Sequence, residues 1–188
     1  TGLFGQETAR WDREALAVAG IDEGHLFAVC YRTEPRSGFR PQWAKRWPAL
    51  RGVPFWPVVG DGAASNVGSD CGDPTHVALN VGTSAALRIV TTRPPVPPRG
   101  LWRYRLDRRA SLVGGATSEG GNVYAWCRAV LRLPPEEEET ALTATGPDAH
   151  GLTVLPFLAG ERAPGWRGDR RAVIAGLSLD TKPMDIVR

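Results

Sequence analysis

The chain has 188 residues, 42% of them hydrophobic, and a formal net charge of +3, enough apolar material for a core in one large domain or in parts of two. No apolar run approaches the roughly 20 residues of a membrane-spanning helix and no basic-then-apolar leader opens the chain, so no membrane partner is expected and the cytoplasm is the expected compartment. Three widely spaced cysteines, Cys30, Cys71 and Cys127, form no C-x-x-C pair and have no histidine at ligand spacing, so neither a disulfide framework nor a zinc site is indicated.

Asp12 and Gly20 bracket a short helix centred on Leu16: an acceptor side chain precedes its first turn, and a residue free to turn left-handed follows its last. From 21 to 52, Pro35, Gly38, Pro41 and Pro48 interrupt any long element, although residues 41–47 can make a helical turn. Residues 53–59 read as an edge or irregular strand, because Pro54 and Pro57 cannot donate to a ladder. Small residues at helical spacing follow over 62–69, and Gly72-Asp73-Pro74 is a turn and a domain boundary. Residues 77–81 and 85–90 predict two strands joined by Gly82-Thr83-Ser84. Residues 91–100, with Pro94, Pro95, Pro97 and Pro98, form a stiff connection, and 101–106 with 111–114 predict a hairpin around 107–110.

From Glu119 the pattern becomes helical, with Val123, Trp126, Cys127, Val130 and Leu131 on one face until Pro134 stops it. Glu136–Glu139 open a further helix at its positive end, where carboxylates are favoured; this is a solvated helix start rather than a metal site. Residues 153–158 and 172–177 are short apolar runs, and Thr181 is the expected N-cap of a helix starting at Lys182 and Pro183. Strands, hairpins and helices in this order predict an α/β or mixed architecture.

Only two of the 23 basic residues are lysines, Lys45 and Lys182, which leaves 21 arginines. Such an imbalance spreads over a whole surface, as a GC-rich genome produces, rather than marking a stripe for nucleic acid. The densest cluster, Arg99, Arg103, Arg105, Arg108 and Arg109, alternates with Leu101, Tyr104 and Leu106, the pattern of a solvent face on a strand pair.

Chemistry concentrates in two places. GDGAASNVGS, residues 60–69, sets Asp61 directly after an apolar run and at the mouth of a helix. VALNVGTSAALRIV, residues 77–90, sets Gly82-Thr83-Ser84 between two runs rich in β-branched residues. A carboxylate able to accept a proton, beside a turn whose amides and hydroxyls can hold phosphate oxygens, is what phosphoryl transfer requires. Each also has a plain structural reading: Asp61 as a helix N-cap, the turn as an ordinary hairpin. No G-x-x-x-x-G-K-[ST] occurs, so a Walker-type loop is excluded. Gly120 and Gly121 open the predicted helix of Trp126 and permit either close approach of a ligand or a flexible helix entry. Arg162 can neutralise an anion or staple itself to Glu161 and nearby carbonyls, and the staple is the expectation. His25, His76 and His150 have no partner spacing and read as surface or capping residues; Trp43 and Trp47, four apart, can form part of a substrate wall.

These two motifs resemble the FGGY family of carbohydrate kinases, and so do GGATSEGGNVYAWC at 114–127, GLTVLPFLAGERAPGW at 151–166, AVIAGLSLDTKPMDIVR at 172–188 and, in the style of the gluconate kinases, TGLFGQETARWDREALAVAGI at 1–21. The resemblance implies an actin-like, ribonuclease-H-like α/β fold in parts of two domains, with 1–75 the end of the first and 76–188 the start of the second. It implies ATP and Mg²⁺ as cofactors and phosphorylation of a primary hydroxyl, gluconate to 6-phosphogluconate first, with xylulose or glycerol kinase activity as alternatives. On it Asp61 is the general base, Asp61 and Gly62 contact the sugar, and Gly82, Thr83, Ser84, Gly120 and Gly121 contact the nucleotide. The family's D-x-G-T-T phosphate loop and adenosine loop do not occur, so the chain is expected to be part of a longer kinase and inactive alone; a non-catalytic protein acting only by binding is the rival from another class. The expected partner is a small sugar or sugar acid, with no nucleic acid, no membrane, and a homodimer left open.

Overall fold

The computed structural model describes residues 2–92, 96–135 and 148–188. The chain forms two compact units, one from Thr1–His76, Ile89–Pro95 and Arg103–Leu112, the other from Val77–Arg88, Val96–Trp102 and Val113–Arg188.

In the first unit β1 (Phe4–Gly5) and β2 (Arg10–Trp11) pair antiparallel, with Phe4 opposite Trp11. α1 (Arg13–Ala19) starts where the Asp12 carboxylate accepts the N–H groups of Glu14 and Ala15, at 3.0 and 3.1 Å, and ends at Gly20, whose φ of 69° needs no Cβ to be accommodated. Its apolar face buries Leu16. α2 (Pro41–Arg46) begins on Pro41, which suits a first turn because its missing N–H would have no helical partner. Residues 53–59 do not form the predicted strand: only Phe55 pairs, exchanging N–H···O bonds of 2.7 and 2.8 Å with Arg36. Pro54 and Pro57 flank it without donors, so the ladder cannot extend. α3 (Asp61–Gly68) follows, and its small residues turn Ala63 and Asn66 inward.

Four strands, β3 (Val77–Val81), β4 (Ala85–Thr91), β5 (Trp102–Arg105) and β6 (Ser111–Thr117), hydrogen-bond in the order β3-β4-β6-β5. The Asp107 carboxylate shapes the β5–β6 turn by accepting the N–H groups of Arg109 and Ala110, each at 2.8 Å. β6 runs on past the predicted end at 114. Gly114 and Gly115 are close-packing positions inside the strand: a Cβ on Gly114 would stand 2.8 Å from the Trp102 ring, and one on Gly115 2.9 Å from Ala163.

The arginine cluster is a solvent face only in part: Arg99, Arg108 and Arg109 are exposed, and Arg103 and Arg105 are half-buried. Arg103 forms an ion pair with Glu7, Arg105 donates to the Gln6 carbonyl at 2.7 Å, and Arg108 pairs with Glu34 at 2.6 Å while lying over the Tyr31 ring. Arg103, Arg105 and Arg108 are tied into the first unit, because carboxylates and a carbonyl from residues 6, 7 and 34 meet them.

In the second unit α4 (Gly121–Val130) buries Cys127 but leaves Trp126 and Val130 partly exposed, and Leu131 is already extended. β7 (Thr153–Leu155) and β8 (Val173–Ala175) make an antiparallel pair, Val154 opposite Ile174. α5 (Pro183–Val187) is entered one residue later than predicted: the N–H of Lys182 donates to Asp185 at 2.8 Å, while the Thr181 hydroxyl turns back to accept from Ser178 at 2.9 Å. The helix expected from Glu136–Glu139 lies outside the described residues, as do Pro94 and Pro95. No helix among the described residues is long and apolar enough to cross a membrane.

Candidate active site

Asp61, in the first unit, is the first residue of α3 and is exposed. The N-cap position belongs to Gly60, which has no side chain to cap with. The carboxylate accepts one bond, the N–H of Gly62 at 2.7 Å. That bond fixes the side chain at the positive end of the helix, where a carboxylate is favoured, and leaves the other oxygen outward. It also occupies the Gly62 N–H, so Gly62 has no free amide to offer a sugar.

Gly82, Thr83 and Ser84, in the second unit, form a tight connection closed by the Gly82 N–H donating to the Ser84 carbonyl at 2.9 Å. Its carbonyls are taken up by α4: the Gly121 N–H donates to Gly82 O at 2.7 Å and the Asn122 N–H to Thr83 O at 3.2 Å. Gly120 is in contact with the same turn, since a Cβ there would stand 2.7 Å from the Ser84 carbonyl carbon and 2.8 Å from Gly82 O. The predicted helix N-terminus for a phosphate is thus already occupied by protein, and the two glycines serve by letting the helix reach the turn. Asn122 completes the clamp: its Oδ1 accepts the Gly120 N–H at 2.8 Å and its Nδ2 donates to Ser118 O at 3.0 Å. Sequence reasoning passed over Asn122, although an Asn two residues inside a glycine-led helix is a recognisable capping position. The Thr83 and Ser84 side chains are exposed, and among the described residues their hydroxyls have no hydrogen-bond partner.

Ser84 also lines a cavity of about 380 Å³ within the second unit, together with Asn80, Ala85, Ala86, Arg88, Trp102, Ala116 and Arg162. Arg88 donates to Asn80 Oδ1 at 2.7 Å and lies 6.0 Å from the Trp102 ring centre. Arg162 does not form the expected staple. Glu161 is instead engaged by the Gly165 N–H at 3.2 Å and by Arg170 at 3.9 Å. The Ser84 hydroxyl and the Arg162 guanidinium of this cavity suit phosphate oxygens, so its donors fit a phosphate group. No group of three or more His, Cys, Asp or Glu side chains among the described residues is placed to hold a metal ion.

The remaining expectations concern single residues. His25 and His76 sit beside Asp22 and Asp73, at 3.2 and 3.4 Å, and His150 Nδ1 accepts the Leu152 N–H at 2.9 Å, all local capping arrangements. Trp43 and Trp47 stack on each other, centroids 5.6 Å apart. The three cysteines are free, and burial pushes the Cys127 thiol up.

The model of the FGGY family of carbohydrate kinases, C-terminal domain, matches residues 77–188. A gluconokinase of Bacillus licheniformis is 32% identical over 200 residues and one of Bacillus subtilis (strain 168) 30% over 201; each match takes in 100% of this chain and 39% of the relative. A glycerol kinase of Stenotrophomonas maltophilia (strain K279a) is 30% identical over 194 residues, covering 100% of this chain and 38% of its own. The chain therefore spans 39% of the length of the curated gluconokinases it matches. Among solved structures, a gluconate kinase from Lactobacillus acidophilus superimposes with a TM-score of 0.86 at 29% identity, and a ligand-bound xylulose kinase from the same organism with 0.86 at 28%. Each alignment covers 100% of this chain and 39% of the other, so the α/β, actin-like fold expected from the motifs is the fold found.

Proposed function

The chain belongs to the FGGY family of carbohydrate kinases, and we propose that it serves an ATP-dependent transfer of a phosphoryl group to a primary hydroxyl of a sugar or sugar acid, gluconate to 6-phosphogluconate first among them. One observation carries the reaction type: the Gly82 and Thr83 carbonyls are held by α4 while, among the described residues, the Thr83 and Ser84 hydroxyls have no partner. The preference for gluconate is supported by the two gluconokinases that match the chain along its whole length.

When bound, ATP would supply the γ-phosphoryl group, its phosphates held by the 82–84 turn, and Mg²⁺ carried with it would neutralise their charge. Asp61 takes the proton of the acceptor hydroxyl while the new O–P bond forms and the bond to the bridging β–γ oxygen breaks. The products are a phosphate monoester, ADP and a proton that Asp61 returns to water. Only modest basicity is needed, because positioning and charge neutralisation carry most of the catalysis. Thr83 and Ser84 donate hydroxyl hydrogen bonds to phosphate oxygens, and Gly82, Gly120 and Gly121 keep that turn in place. Gly62 orients the Asp61 carboxylate through its N–H rather than contacting the sugar by it.

A xylulose kinase reading has its own support in the structural match with a TM-score of 0.86. The deciding experiment incubates the intact protein with ATP, Mg²⁺ and gluconate, xylulose or glycerol, and quantifies ADP and the phosphorylated product. The highest kcat/KM is expected for gluconate. A preference for xylulose selects the second reading, and ADP release with none of the three overturns the kinase reading.

A further inference from the structure

Among the described residues, the cavity beside Ser84 is lined by a cation whose side chain has no hydrogen-bond or ion-pair partner. The loop carrying Arg162 is anchored on both sides of it. The Ala163 N–H donates to Ala116 O of β6 at 3.0 Å, Trp166 Nε1 donates to Gly100 O at 2.7 Å, and the Glu161 N–H donates to Arg167 O at 2.9 Å. The nearest acid in sequence, Glu161, is turned inward to Gly165 and Arg170. Among the described residues the Arg162 guanidinium therefore has neither an ion-pair nor a hydrogen-bond partner, and it lines the same 380 Å³ space as the Ser84 side chain. The opposite wall is fixed: Gly114 leaves room for Trp102, and Arg88 lies over that ring and is tied to Asn80. Ala85, Ala86 and Ala116 keep the floor open. Neither lysine lies near this space in sequence, Lys45 belonging to α2 and Lys182 to the turn before α5. A Gly-Thr-Ser turn offers dipoles but no full charge, whereas the phosphate chain of a nucleotide carries several negative charges, and a guanidinium is the side chain best shaped to meet them.

We infer that Arg162 is a phosphate-binding residue, placing its guanidinium with the Ser84 hydroxyl on an oxyanion of the nucleotide phosphate chain in this cavity. The inference rests on the kinase reading above and assigns to the GERAPGW loop a role in holding the nucleotide. The test uses the intact protein and calorimetric titration with three probes: ATP, inorganic tripolyphosphate and adenosine. Arg162→Gln is expected to weaken ATP and tripolyphosphate by about ten- to a hundredfold, the range for losing a charged hydrogen bond, and to leave adenosine unchanged. Arg162→Lys, which keeps the charge but not the fork, is expected to fall between. Because Arg162 is exposed and, among the described residues, its side chain makes no bond, both variants should melt with the parent, and a matching melting curve confirms that binding is being read. Unaltered ATP and tripolyphosphate affinity in Arg162→Gln overturns the inference, as does an equal loss for adenosine. If the parent binds neither ATP nor tripolyphosphate, the kinase reading fails and the inference fails with it.

Discussion

Asp61 and Thr83 have different tasks in the proposed reaction, and single substitutions separate them. Asp61→Asn keeps the shape of the first turn of α3 but removes the group that takes the proton. Turnover is expected to fall about 10²–10⁴-fold, the usual share of a general base, with ATP affinity nearly intact. Single-turnover rates and equilibrium titration read the two effects apart, and a variant with near-parental turnover removes Asp61 from the mechanism. Thr83→Val keeps the branched shape and deletes one of the two open hydroxyls of the turn. One hydrogen bond to a charged phosphate is worth about 1.5–3 kcal/mol, so ATP should bind roughly ten- to a hundredfold more weakly while gluconate affinity stays put. A fall in gluconate affinity alone means that the turn faces the sugar instead.

At the scale of elements, the approach of α4 to the 82–84 turn is where sequence and stability meet. Gly120→Ala introduces a Cβ 2.7 Å from a backbone carbon, which no rotamer change can relieve. The expected cost is about 1–3 kcal/mol in urea unfolding, with a parallel loss of ATP affinity as the turn shifts; unchanged stability would show that the contact has slack. The β5–β6 turn gives a pH signature. Burial pushes the Asp107 carboxyl up, but the Ala110 and Arg109 N–H groups and the Arg32 guanidinium outweigh it and hold the carboxyl below its ordinary value. A depressed folded value means the stabilisation is complete above the unfolded pKa, about 3.9 for Asp, and is lost as pH falls through the folded one. Asp107→Asn should therefore lower stability by about 1 kcal/mol at pH 7 and pH 5, with the gap closing below about pH 4. A gap that persists to pH 2 would mean that Asp107 acts by shape alone. Elements with local causes were legible in the sequence: α1 from Asp12 and Gly20, the 82–84 connection from its flanking strands, the Asp107 turn. Those decided by distant partners were not. Proline donors missing at 54 and 57 mattered more than the apolar run around them. Two glycines in β6 looked like an ending because the Trp102 ring that packs on one of them is distant in sequence. Arg162 was misread for a different reason: Glu161 is taken by Gly165 and Arg170 of the same loop, a local competition that the pairing of adjacent residues did not weigh.

At the scale of the whole molecule, part of the arginine surplus is taken up locally, in pairs such as Arg32–Asp107, Arg108–Glu34 and Arg167–Asp169. Pairs this exposed contribute little stability each. The net charge is a modest +3, and among the described residues Arg162 has no carboxylate partner, so a small and concentrated anion is the ligand to test. A ligand that binds only the folded protein stabilises it by mass action, about 2.7 kcal/mol at a hundred times its Kd. ATP at that excess should thus raise the melting temperature of the intact protein by about 5–10 °C for a chain of this size. Because the contacts are to phosphate, the shift at a fixed ATP concentration should shrink as salt rises, each tenfold loss of affinity removing about 1.4 kcal/mol of the effect. Adenosine at the same concentration should give a much smaller and salt-insensitive shift. Differential scanning calorimetry at low and high salt reads all of this in one series. Equal shifts for ATP and adenosine, or an ATP shift indifferent to salt, would show that the second unit holds the nucleoside and that the open hydroxyls of the 82–84 turn and Arg162 are not what the phosphates meet.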